Sequence, residues 1–234
     1  MKDNLHLLIP FLGSFLFVGG LIASKSASQR GVSSSAVSLA TNLICSIAFI
    51  PFWFFGGEVP ETNLWWQPII CATLFMVGMA FTYASVSVGD VSVASPVFGI
   101  KVLLVTIVLA IATQKMPSNA LWIASAMATS GVVIVQWTGV GDAKNTALTI
   151  LLASLAACCY AVLDVLIQTW SQSWGTGRLL PIMFLIVGLL SLPLLLRIDW
   201  KPIRTKAGAS VLLLAAILMT GQVISIVGTL SLFG

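Results

Sequence analysis

Charged residues are scarce in this sequence. Only 8% of its 234 residues are charged, 11 of them basic and 7 acidic, whereas 59% are hydrophobic. Soluble domains carry roughly 25% charged residues, so these 18 side chains could not cover the surface of a soluble fold of this length. We therefore expect lipid to surround most of the chain, in an all-α, polytopic membrane helix bundle. The net charge of +4 lies mostly in short loops, which argues against a nucleic-acid partner.

Residues that carry enzyme chemistry are equally sparse. His6 is the only histidine and lies at the entrance of the first apolar run. The sequence contains no H-E-x-x-H, no phosphate-binding glycine-rich loop, no G-x-S-x-G and no cluster of acids. The cysteines lie inside apolar runs without a C-x-x-C pair, so they are interpreted as packing residues: Cys45, Cys71, Cys158 and Cys159. We expect no enzyme activity, no cofactor and no metal.

Long apolar runs dominate what is present. A membrane span needs about 20 mostly apolar residues to cross a hydrocarbon core of about 30 Å. Eight runs meet this requirement: Leu5–Ser24, Ala36–Gly56, Leu64–Val86, Val91–Thr113, Asn119–Trp137, Ala147–Trp170, Leu179–Leu196 and Ala209–Phe233.

Tryptophan gives an independent indication of the span ends. Indole rings favour the headgroup level of a bilayer. All eight tryptophans fall at span ends or in adjoining loops: Trp53, Trp65, Trp66, Trp122, Trp137, Trp170, Trp174 and Trp200. This placement predicts an aromatic belt.

Weak internal similarity indicates a repeat. The run Ala72–Gly78 resembles Ala215–Gly221 at an offset of 143, and Pro51 corresponds to Pro193 at an offset of 142. We predict a first unit of five spans over residues 1–138 and a second, incomplete unit of three spans over 146–234. Because five is odd, the second unit would enter the membrane in the opposite sense, as in many secondary transporters.

The incomplete second unit leaves three explanations open. The gene is shortened, the chain is a fragment, or another subunit completes the bundle. Small residues at four-residue spacing, Ala120, Ala124 and Ala128, also leave a homodimer contact through the fifth span open.

Loop charge predicts the orientation in the membrane. Basic residues favour the cytoplasmic side. Seven lie on one face, namely Lys25, Arg30, Lys144, Arg197, Lys201, Arg204 and Lys206. Three lie on the other, namely Lys2, Lys115 and Arg178. We expect the first face inside the cell and the N-terminus outside.

The stretch from Tyr83 to Gln136 resembles the fourth and fifth helices of an EamA domain, in the drug/metabolite transporter superfamily. A helix opening with Pro96-Val97-Phe98 and a later helix ending in Gly131-Val132-Val133 carry the resemblance. The family often has Gly-Glu after its fourth helix, where this chain has Thr113-Gln114-Lys115, and the family has ten helices. The resemblance implies alternating-access transport of a small metabolite through a cavity between two repeats.

Lys101 is the most informative single residue. It lies ten residues into the fourth predicted span, roughly 15 Å from the nearer interface, which is too deep for its side chain to reach the headgroups. It either binds an anionic group of a solute, exchanges a proton during transport, or pairs with a buried acid or with carbonyl groups.

Asp164 is the second charge inside a predicted span. Counted from the same face it lies roughly 26 Å deep, so a direct ion pair with Lys101 would need helix tilt or a bridging water. It either couples transport to a proton or cation, or reaches the interface as an end-of-helix acid. The remaining candidates for lining a cavity are polar or break a helix: Ser95, Pro96, Asn42, Tyr83, Tyr160 and Gln222.

The sequence thus predicts a multi-pass secondary transporter of a small metabolite, in a plasma membrane of bacterial type. The expected partners are the lipid bilayer and a small solute. The alternative is a non-transporting membrane subunit, or a decayed transporter fragment that needs a partner.

Overall fold

The computed structural model describes residues 5–89, 91–114, 116–136 and 143–233. Within these ranges the chain is helical and no strand occurs. The α-helices are α1 (Leu5–Gln29), α2 (Ser34–Phe49), α3 (Trp66–Val88), α4 (Val91–Gly99), α5 (Lys101–Thr113), α6 (Asn119–Gln136), α7 (Ala143–Trp174), α8 (Thr176–Ser191) and α9 (Lys206–Phe233). The prediction of an all-α fold is confirmed.

Six helical segments of the described chain are long and apolar enough to cross a membrane. They are Phe11–Gln29, Ser34–Phe54, Thr62–Val88, Thr146–Trp174, Gly177–Arg197 and Lys206–Val227. They coincide with six of the eight predicted spans and confirm a polytopic membrane bundle. A seventh apolar segment, Val97–Thr113, is shorter.

The fourth predicted span, Val91–Thr113, is not one continuous α-helix. It is divided at Ile100 into α4 and α5. Pro96 has no N–H to donate within this helix, and the Ile100 N–H bonds the Val97 carbonyl at 3.1 Å, three residues back rather than four. Lys101 is therefore the first residue of α5. The fifth predicted span is the 18-residue α6; its predicted end, Trp137, lies outside the described residues.

The described helices form two compact units, and these are not the two predicted repeats. One unit combines Met1–Thr73 with Gln168–Gly234, and the other is Leu74–Ile167. Each unit draws on both halves of the sequence, so a compact unit and a sequence repeat are different divisions of this chain.

In the first unit, α1 packs on α9 through glycines. A Cβ atom on Gly20 would lie 3.0 Å from Met219, and a Cβ atom on Gly221 would lie 3.2 Å from Leu16. Such small residues let helix backbones approach closely, which supplies the packing that lipid-surrounded helices need. In the same unit, α2 packs on α8, where the rings of Phe49 and Phe184 stack at 4.1 Å.

One end of the first unit is held by a glycine clasp, which we define as Gly56, Gly57, Gly175 and Gly177. A Cβ on Gly57 would lie 2.6 Å from the Trp174 carbonyl oxygen, and a Cβ on Gly177 would collide with the carbonyl oxygens of Phe52 and Gly56. Gly56, Gly57 and Gly175 also have positive φ angles, which glycine adopts without strain. The chain after α2 therefore touches the α7–α8 turn backbone to backbone.

Trp174 departs from the predicted aromatic belt. Its side chain is fully buried, and its indole Nε1–H donates a 2.7 Å hydrogen bond to Gln67 Oε1. Its position near the end of a span suggested the interface, whereas α7 continues to Trp174 and packs the indole inside the protein. By contrast, Trp53, Trp65 and Trp200 are exposed, as an interfacial belt requires.

Local structure recurs at the offset that suggested the repeat. Helices α2 and α8 both have 16 residues, and each runs directly into a six-residue 3-10 turn, Ile50–Phe55 or Leu192–Arg197. Both turns have proline at the second position, where Pro51 and Pro193 fix the backbone and remove a donor.

The recurrence extends to side chains of α3 and α9. The Thr82 hydroxyl donates to the Gly78 carbonyl at 2.9 Å, and the Ser225 hydroxyl donates to the Gly221 carbonyl at 2.8 Å. Gly78 and Gly221 are 143 positions apart in the sequence, and so are Thr82 and Ser225.

Candidate functional site

Lys101 and Asp164 form a direct ion pair in the second unit. The Lys101 Nζ lies 2.6 Å from Asp164 Oδ2. Lys101 opens α5, and Asp164 lies within the membrane-crossing part of α7. The two side chains are thus in direct contact, and the prediction that such contact requires helix tilt stays a prediction.

Helix α7 is longer at both ends than the predicted span Ala147–Trp170, so Ala147 is not the point from which the depth of Asp164 should be counted. Helix α7 has 32 residues, about 48 Å at 1.5 Å per residue, and so exceeds the hydrocarbon core. It begins at Ala143 rather than at Ala147. The segment that carries Lys101 is interrupted by one residue, Ile100, which keeps a helical backbone conformation.

The ion pair is only partly enclosed. The side chain of Lys101 is 23% exposed and that of Asp164 is 21% exposed. A fully closed structural pair would leave no surface for a third group, whereas about a fifth of each of these side chains is open.

Tyr160 forms one wall beside the pair. It precedes Asp164 by four residues on α7, so both side chains lie on the same helix face. The Lys101 Nζ lies 5.7 Å from the centre of the Tyr160 ring, within the range of a cation–π interaction. The charged ammonium therefore has the Asp164 carboxylate and an aromatic ring as neighbours.

The position of Tyr160 is fixed from α3. Its hydroxyl lies 3.3 Å from Thr82 Oγ1, and a Cβ on Gly78 would lie 2.9 Å from the ring. The ring of Phe75 meets it edge-on at 6.4 Å between centroids. Gly78 leaves space for the ring, and Thr82 provides a polar contact for its hydroxyl. Together they orient Tyr160.

Thr82, Gly78 and Phe75 were not among the residues predicted from the sequence. Nothing in the sequence alone distinguishes Thr82 from other threonines. The one available signal was that Gly78 belongs to the run that recurs at Gly221.

The other predicted residues are placed as follows. Tyr83 is buried on α3 in the same unit as the ion pair. Asn42, buried on α2, and Gln222, half-buried on α9, belong to the other unit. Ser95 and Pro96 lie on α4, and their side chains, like that of His6 on α1, fall outside the described part of the chain.

A second polar contact joins α5 to α6 in this unit. The hydroxyls of Thr106 and Ser125 lie 2.8 Å apart, and one of them donates to the other. The hydroxyl that accepts this bond is free to donate to a carbonyl of its own helix, that of Val102 for Thr106 or Leu121 for Ser125. Interhelical hydrogen bonds of this kind average about 0.6 kcal/mol in membranes. This contact stabilises the helix that carries Lys101.

The fold and this site define a multi-pass helical membrane protein with an ion pair inside its spanning region. Residues 5–137 match the EamA-like transporter family. The match covers more than half of the chain, so the chain belongs to the EamA-like transporter family, in the drug/metabolite transporter superfamily. It is a membrane transporter by family, and the family is not enzymatic. No curated protein sequence matches the chain.

Proposed function

We propose that this protein is a secondary transporter that binds an ionised group of a small metabolite at the Lys101–Asp164 pair. The 2.6 Å ion pair inside the spanning region is the observation that carries the proposal. A charged side chain within a membrane segment is costly, and such charges usually mark solute or ion pathways.

The partial exposure of the pair favours a solute site over a purely structural contact. The open fifth of each side chain faces either lipid or a water-filled path. An ion pair in contact with lipid tails would keep its desolvation cost without compensation, so the open surface favours a water-filled path. A charged solute group entering there replaces one partner: an anion competes with Asp164 for Lys101, and a cation competes with Lys101 for Asp164.

Alternating access between two inverted repeats is the proposed mechanism. It is supported by the recurrence of a 16-residue helix, a proline-containing 3-10 turn and a hydroxyl-to-glycine bond at offsets of 142 and 143. In such transporters the repeats insert with opposite topology, and their rocking exposes the site to each side in turn. The division at residues 1–138 and 146–234 stays a prediction.

Two further predictions accompany this proposal. The plasma membrane of a bacterial cell is the expected location. A homodimer through α6 is supported by the exposure of Ala120, Ala124 and Ala128 on that helix, because small residues at this spacing permit close helix contact.

Counterflow into proteoliposomes tests the proposed function. We expect at least one metabolite with an ionised group to exchange across the membrane in a saturable manner, and to raise the unfolding temperature of the purified protein. A broad panel of anions, cations and zwitterions should be screened by both measurements. If no charged solute moves and none stabilises the protein, the proposal is wrong.

Substitutions of Tyr160 separate its hydroxyl from its ring. Tyr160→Phe loses only the contact with Thr82, so we expect a cost of about 1 kcal/mol in stability and less than a tenfold loss of transport. Tyr160→Leu also removes the ring beside the Lys101 ammonium, a contact of about 0.5–2 kcal/mol, so the apparent affinity for solute should fall further. Equal effects of the two variants on affinity would contradict a role for the ring.

A further inference from the structure

A basic surface lies at one end of the first unit, where the α1–α2 turn meets the α8–α9 connection. The Arg30 guanidinium donates to the Ala207 carbonyl at 3.3 Å. Gly31 lies against Pro202, which would be 3.5 Å from a Cβ at this position. This hydrogen bond joins two residues that are 177 positions apart in the sequence, so two distant loops form one platform.

We define the basic collar as the exposed cations of this platform: Arg30, Arg197, Lys201, Arg204 and Lys206. The one acid in the α8–α9 connection is Asp199, whose carboxylate accepts the backbone N–H of Lys201 at 3.0 Å. Within the described chain, no acidic side chain forms an ion pair with any collar residue. The collar therefore presents uncompensated positive charge.

The collar lies where two membrane spans end. One span finishes at Arg197 and the next begins at Lys206. Directly before Arg197, the 3-10 turn Leu192–Arg197 exposes Leu195 and Leu196, the latter 90% exposed, and Trp200 is exposed just after it. Apolar side chains and an indole beside a group of cations are the composition of a lipid headgroup boundary.

The corresponding connection after α2 has the opposite charge. Between Gly56 and Trp66 it contains Glu58 and Glu61, both exposed, and no lysine or arginine. The two connections follow equivalent helices and equivalent 3-10 turns. Because the same local structure forms with either charge, the helix–turn fold does not require the cations of the collar.

We propose that the basic collar binds the headgroup phosphates of anionic phospholipids in the leaflet that it faces. Each Lys or Arg near an anionic leaflet is attracted to it, and clusters of four to eight such residues beside membrane helices recognise anionic lipids. Leu196 and Trp200 enter the boundary between headgroups and acyl chains while the cations contact the phosphates. The orientation predicted from loop charge makes this the cytoplasmic leaflet.

Lipid titration of the purified full-length protein tests the collar. We expect phosphatidylglycerol to raise the unfolding temperature and to remain bound in native mass spectrometry, with phosphatidylcholine giving a much smaller effect. The variant Lys201→Gln/Arg204→Gln/Lys206→Gln should bind phosphatidylglycerol roughly a hundredfold more weakly, since each cation contributes about fivefold. High salt should also weaken phosphatidylglycerol binding, because it screens the charges of the collar.

Two matched variants make the test specific. Lys201→Arg/Arg204→Lys/Lys206→Arg keeps the charges and should bind phosphatidylglycerol as the wild type does. Glu58→Gln/Glu61→Gln raises the net charge at the other connection and should leave this binding unchanged.

Three results would overturn the proposal. The first is undiminished phosphatidylglycerol binding by the neutralised variant. The second is an equal gain in the unfolding temperature from inorganic phosphate, which would indicate a general anion site. The third is an equal gain from phosphatidylcholine.

Discussion

Lys101→Met is expected to lower the initial rate of solute transport roughly a hundredfold. The substitution keeps a long side chain in α5 but removes the charge that lies 2.6 Å from Asp164. A hydrogen bond to a charged group contributes about 1.5–3 kcal/mol, and loss of the upper value corresponds to roughly a hundredfold in affinity. Counterflow of the transported solute in proteoliposomes at matched protein density measures the effect.

The same substitution leaves the Asp164 carboxylate without its partner, so stability must be measured alongside transport. Breaking a fully buried pair costs about 3–5 kcal/mol, and partial exposure should lower this to about 2–3 kcal/mol. Lys101→Arg keeps a cation and should retain measurable transport. Lys101→Met combined with Asp164→Asn removes both charges, and should recover stability without recovering transport. Wild-type transport by this double variant would show that the pair has no part in solute binding.

Gly177→Ala is expected to destabilise the protein strongly, although it adds only one methyl group. The new Cβ would collide with the carbonyl oxygens of Phe52 and Gly56. Both are backbone atoms, so no side chain can rotate away, and the glycine clasp would have to open. Overpacking costs typically about 1–3 kcal/mol, and we expect the upper end, about 3 kcal/mol. For a domain of this size the unfolding temperature would fall by about 6–12 °C.

Gly131→Ala is the matched control for the clasp. Gly131 lies within α6, and a Cβ there meets no atom within 4 Å. Alanine in a helix is favoured over glycine by about 0.5–1 kcal/mol, so this variant should be slightly more stable than the wild type. Thermal unfolding of both variants in one detergent provides the comparison. Equal unfolding temperatures for Gly177→Ala and the wild type would show that the clasp does not hold this end of the unit.

Most of the spanning helices could be predicted because lipid imposes a simple rule on composition and length. The break at Ile100 was not predicted, since the donor that Pro96 lacks would bond Ser92, on the other side of the proline. The end of α7 was harder to predict: Trp170 was expected to mark the interface, but α7 continues for one more turn to Trp174. Indole burial depends on a distant partner, Gln67, and composition contains no information about that contact.

The site was predictable residue by residue but not as an arrangement. Lys101, Asp164 and Tyr160 were each selected because polar groups are costly in a membrane. Their proximity depends on how α5 and α7 pack against each other, which a count of residues along ideal spans does not provide. Thr82 was missed because its role comes from facing Tyr160 across two helices.

The basic collar, like the Lys101–Asp164 site, was predictable in its residues but not in their arrangement. Its loop charges were visible in the sequence and were used to predict the orientation. Their junction depends on the Arg30 guanidinium reaching the Ala207 carbonyl, which is a contact between loops far apart in the sequence. A pattern of charges along the chain cannot predict which loops meet.

The measurement that tests the central claim most directly is solute binding by a charge-swapped protein, Lys101→Asp with Asp164→Lys. The swap keeps an ion pair between α5 and α7, so a purely structural pair would be restored in full. Calorimetric titration of the transported solute should give roughly a hundredfold weaker binding to the swapped protein, while its unfolding temperature stays within a few degrees of the wild type. Equal affinity in the two proteins would contradict a role in solute binding, because Lys101 and Asp164 would then only join two helices.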